Sequence, residues 1–123
     1  MRKRFLAIAV IGLAAEPAAA MPVSTFLTKI DALARAGAVA AASSDGQLIK
    51  KELEDDAAAL HDERVAAASA GNTPAYCPAP QSGPPSLDEI VASLKEVPKA
   101  KRGKTEVRDA LRAYLAQRFP CNK

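Results

Sequence analysis

Two cysteines, Cys77 and Cys121, are the side chains in this 123-residue sequence best suited to covalent chemistry. That chemistry is cross-linking, because no serine, histidine and carboxylate set stands in a recognisable nucleophile context. In an oxidising compartment the two thiols are expected to pair. The bridge would close a loop of about 45 residues, which the chain-entropy treatment values at roughly 4 kcal/mol, a large share of the stability of a small domain. The single histidine, His61, is followed by Asp62 and Glu63, a trio that could hold a metal only if further ligands converged on it. Zinc sites need three or four converging ligands, and the flanking carboxylates have the spacing of a solvated helix face. Neither a metal nor any other cofactor is expected, no residue qualifies as catalytic, and the chain does not read as an enzyme.

Two further groups of residues bear on binding. Lys99, Lys101, Arg102 and Lys104 form a basic run that could grip an anionic polymer or lipid headgroups. It has no interleaved aromatics, so a solvated connector between helices is the expectation. Residues 71–85 are rich in proline and glycine, and within them Pro78, Pro80, Gln81, Ser82, Gly83 and Pro84 form the candidate partner-binding loop. Loops held on rigid scaffolds often carry recognition; the plainer alternative is a linker.

The first twenty residues read as an export signal. They begin with the basic residues Arg2, Lys3 and Arg4, continue through an apolar run from Phe5 to Ala15, and end with the small residues Ala18, Ala19 and Ala20. Cleavage between Ala20 and Met21 is expected. The run of about eleven apolar residues is short of the roughly 20 that span a bilayer, so the mature product is expected to be free of the membrane, in the periplasm or outside the cell. Cleavage removes three of the 17 basic residues and one of the 14 acidic ones, leaving 14 against 13, a net charge of +1. Nucleic acid is thereby disfavoured as a partner, since its binders retain a basic surface that neutralises phosphates.

Residues 21–123 are expected to form one all-α domain, four helices in two hairpins closed by one disulfide. Val23, Phe26, Leu27, Ile30, Leu33, Ala34, Gly37 and Ala38 recur at steps of three and four and predict a helix over 22–42. Ser44 with Gln47 has the form of a capping box opening a second helix. Its inner residues would be Leu48, Ile49, Leu53, Ala57, Leu60 and Val65, with Lys50, Lys51, Glu52, Asp55, Asp56 and Glu63 outward. Prolines break the chain until Ser86 and Glu89 repeat the box and open a third helix through Leu87, Ile90, Val91, Leu94 and Val97, ended by Pro98. Thr105 is the expected cap of a fourth helix with Val107, Ala110, Leu111, Tyr114 and Leu115 inward.

Within 76–121, Tyr76-Cys77-Pro78, the run Ser86 to Val91, Val97-Pro98, the run Val107 to Leu111 and the closing Arg118-Phe119-Pro120-Cys121 together form a pattern. It resembles the Rap/Tai immunity family of type VI secretion. The resemblance implies a small exported helical inhibitor that binds a periplasmic cell-wall amidase effector, often as a homodimer, with a loop that blocks the effector's active site. A second function of a different class fits the same composition: a general periplasmic stress protein, such as a helical holdase, or a housekeeping protein. The first predicts one partner and the second predicts promiscuity.

Overall fold

The computed structural model describes residues 20–121, so nearly all of the expected export signal lies outside the described residues. Four α-helices follow in order: α1 Val23–Ala36, α2 Ser44–Ser69, α3 Leu87–Lys95 and α4 Val107–Arg118. They form the expected all-α domain, with the bridge between Cys77 and Cys121 in place. Among the described residues no helix is long and apolar enough to cross a membrane.

The first helix is shorter than its sequence pattern predicts. It stops at Ala36 because Gly37 takes φ 76°, a left-handed conformation that suits a residue without Cβ. The chain then tightens into a 3-10 turn over Gly37–Ala42. The cap of α2 is Ser43 rather than Ser44: its Oγ accepts from the Gly46 amide at 3.1 Å. Glycine is required at 46 because a Cβ there would lie 2.6 and 2.7 Å from the carbonyl oxygens of Ala40 and Ala41.

On α2, Ile49, Leu53, Asp56 and Leu60 form one inward stripe at steps of four, three and four, with Leu53 partly buried. Asp56, expected to point outward, is 1% exposed. Leu48 and Val65, expected inward, lie off that stripe and are 46% and 49% exposed. The third helix opens as predicted. Glu89 N–H donates to Ser86 Oγ at 3.2 Å and Ser86 N–H to Glu89 Oε2 at 3.3 Å, a complete capping box. Leu87, expected inward, is 47% exposed.

Thr105 does not cap α4; its hydroxyl donates to the Lys101 carbonyl. The segment just before α1 serves instead. The Val107 amide donates to Met21 O at 2.9 Å and the Val23 amide to Thr105 O at 2.9 Å, an antiparallel bridge between Pro22 and Glu106. First-turn amides without partners are thus satisfied by tertiary contact. Arg102, expected in a solvated connector, is half-buried and donates to the carbonyls of Lys95 and Val97 at the end of α3.

Ion pairs give the directions of the helices. Lys29 with Asp45 at 2.8 Å and Met21 beside Glu52 make α1 and α2 antiparallel. Glu89 with Arg118 at 2.7 Å, and Val97 beside Ala110, do the same for α3 and α4. Asp56 with Arg108 and Glu63 with Arg112 align α4 parallel to α2 and join the two hairpins. All four helices feed one core, in which Val23, Phe26, Leu60, Leu94 and Val107 are fully buried.

Candidate functional site

The bridge places the proline-rich loop. Cys77 and Cys121 have their Cα atoms 5.0 Å apart, and the Cys77 amide donates to Phe119 O at 2.8 Å. One end of the loop is therefore tied to the chain terminus, and the other enters α3 through the Ser86 box. Between them a turn closes with Ser82 N–H donating to Ala79 O at 2.9 Å. Pro78 is half-buried, while Pro80, Gln81, Ser82 and Gly83 are exposed around that turn.

Pro84 and Pro85 do something the sequence did not foretell: they wall an apolar cavity of about 440 Å³. Its floor and other walls are Tyr76 of the loop, Leu53, Glu54, Ala57 and Leu60 of α2, Leu87 and Ile90 of α3, and Leu111 and Leu115 of α4. The size falls within the range of roughly 300–1,000 Å³ typical of ligand sites. Among the six candidate loop residues, Pro84 alone lines this groove. The Arg64 guanidinium lies over the Tyr76 ring, 5.4 Å from its centroid. The half-exposed Leu87 thus has a place, as part of the groove wall.

The remaining candidates are dispersed. His61 is exposed with Nδ1 3.3 Å from Arg64 Nη2, while Glu63 is taken up by two hydrogen bonds from Arg112 at 2.8 and 2.9 Å. Those bonds hold the Arg112 guanidinium above its usual range. Among the described residues no three histidine, cysteine or acidic side chains come together as metal ligands.

A buried charge cluster was missed at the sequence level. Asp56 Oδ1 accepts from Arg108 Nε at 2.9 Å, whereas its buried Oδ2 has no hydrogen-bond partner. One turn earlier on the same helix, Glu52 is pushed up to about 7, first by burial and then by the charge of Asp56 beside it. A proton kept on Glu52 can be shared with Asp56, which relieves the repulsion of two neighbouring carboxylates. The Met21 backbone nitrogen donates to Glu52 Oε1 at 3.4 Å. The signal available in the sequence was the step of seven from Ile49 to Asp56, which puts a carboxylate on the buried stripe.

The chain matches no protein-family model, no curated protein and no solved structure.

Proposed function

We propose that the protein is exported, has no catalytic role, and binds a protein partner through the apolar groove and the loop from Pro78 to Pro84 beside it. The observation that carries this reading is that Pro84 and Pro85, in a loop restrained at both ends, form one wall of a groove otherwise built mainly from apolar side chains of α2, α3 and α4. Restraint before binding reduces the ordering entropy lost in the complex, and prolines reduce it further. Export is supported by the signal-like first twenty residues and by the disulfide, which belongs to oxidising compartments.

The partner class to test first is a cell-wall amidase, the target implied by the pattern over 76–121. In that complex an apolar side chain of the amidase would occupy the groove while the turn at Ala79–Ser82 covers the enzyme's active-site cleft. The test is titration of a purified amidase captured from periplasmic extract, with inhibition as the readout. Stoichiometric inhibition is expected, and replacing residues 80–84 by a Gly/Ser stretch should weaken binding at least tenfold, about 1.4 kcal/mol, with helix content unchanged. Equal inhibition by the native and loop-replaced proteins would remove the loop from the contact. Indiscriminate retention of unfolded chains would point to the holdase reading instead.

A further inference from the structure

Residues 21–23 are held against the head of α4. Met21 O accepts from Val107 at the head of α4, and two residues later Val23 donates to Thr105. The Met21 nitrogen, immediately before these two hydrogen bonds in the chain, faces Glu52 on α2. In the unprocessed chain that nitrogen is a peptide amide with one N–H and no charge. Its partner Glu52 stands a turn before Asp56, and Arg108 of α4 is the cation that pairs with Asp56 and acts by its charge on Glu52. Two acids share one guanidinium, and Asp56 Oδ2 has no donor. With both acids ionised, the site is short of one positive charge.

We infer that cleavage after Ala20 supplies it: the new α-ammonium of Met21 pairs with Glu52, completes the cluster with Asp56 and Arg108, and locks the start of α1 onto α2 and α4. The inference rests on the export reading only for the position of cleavage. Hydrolysis of the Ala20–Met21 peptide bond consumes one water and leaves the Ala20 carboxylate on the departing peptide and the ammonium on Met21. An ammonium is largely protonated at neutral pH, since its ordinary pKa lies near 7.7–8.0. It brings three donors and a full charge where the amide offered one N–H. The maturation cut and the folded state then stabilise each other, whereas the uncleaved form must keep a proton on Glu52 to relieve the two acids.

The test compares two exported, disulfide-bonded forms whose cleavage sites are set so that one begins at Met21 and the other at Ala19. Two extra residues can carry the ammonium up to about 7 Å along the chain from its place at Glu52. The form beginning at Met21 should melt higher at pH 7, by about 4–8 °C, and the gap should close when both carry Glu52→Gln. It should also narrow at pH 5. In the longer form the raised Glu52 carboxyl binds its proton more tightly folded than unfolded, so that form loses stability as pH rises between roughly 4.5 and 7. The facing ammonium keeps Glu52 ionised in the shorter form and flattens that slope. Equal melting at pH 7, or a gap that survives Glu52→Gln, overturns the lock. An intact mass of the native exported protein that starts elsewhere overturns the cleavage premise separately, and neither result depends on any partner.

Discussion

At the scale of single residues, the pair Asp56 and Arg108 decides more than any surface charge in the molecule. Asp56 is buried and Arg108 is about one-third exposed, so the two partners are not equivalent. Removal of the guanidinium by Arg108→Met should leave an uncompensated buried carboxylate and cost about 3–5 kcal/mol. Replacement of both, Asp56→Leu with Arg108→Met, should cost much less, because a well-packed apolar pair can substitute for a buried ion pair. Urea midpoints of the two variants check this, and a double variant as unstable as the single one would contradict it. The exposed pairs Lys50 with Glu54 and Lys51 with Asp55 are screened by water and contribute little by comparison. Residue type places Asp56 in solvent and helical register places it inside; register prevails because Leu60 and Ile49 anchor that face.

At the scale of elements, the bridge joins two pieces that lack regular structure of their own. Cys77 lies in the loop after α2 and Cys121 beyond the end of α4, 44 residues apart. Reduction should restore roughly 4 kcal/mol of loop entropy to the unfolded chain, and the melting temperature should fall by more than ten degrees. A calorimetric scan with and without reductant measures it, and a fall of under about five degrees would mean that the packing of Phe119 and Tyr76 against the core, rather than the covalent link, holds this end. The same constraint shapes the groove, since Pro84 and Pro85 take their position from the segment that the bridge anchors. The Ser86 box was legible because it is a local pattern four residues long. The cap of α4 was not, because its donor is satisfied by Met21, which lies 86 positions away in the sequence.

At the scale of the whole molecule, two hairpins share one core. Phe26 and Leu60 come from the first, Leu94 and Val107 from the second, and all are fully buried. A fragment of residues 21–70 keeps the sequences of α1 and α2 yet loses the partners of its apolar face, and helices in proteins draw most of their stability from such packing. It should show little helical circular dichroism in water, while the intact domain unfolds in one cooperative step. A fragment that retains native helicity would mean that the hairpins are independent units.

Helix number, the breaks at Pro78 to Pro85 and at Pro98, and the choice of Cys77 and Cys121 as the cross-link all followed from residue type and spacing, because each depends on properties local to a few residues or on there being only two thiols. The same holds for the inward face of α1, whose Val23, Phe26 and Leu27 are buried as their periodicity requires. Tertiary structure alone decided the burial of Asp56, the pairing of Met21 with α4, the role of Arg102 as a cap and the groove behind Pro84. Each of these depends on which surfaces of distant elements meet, and a side chain's register on its own helix does not specify the partner that covers it.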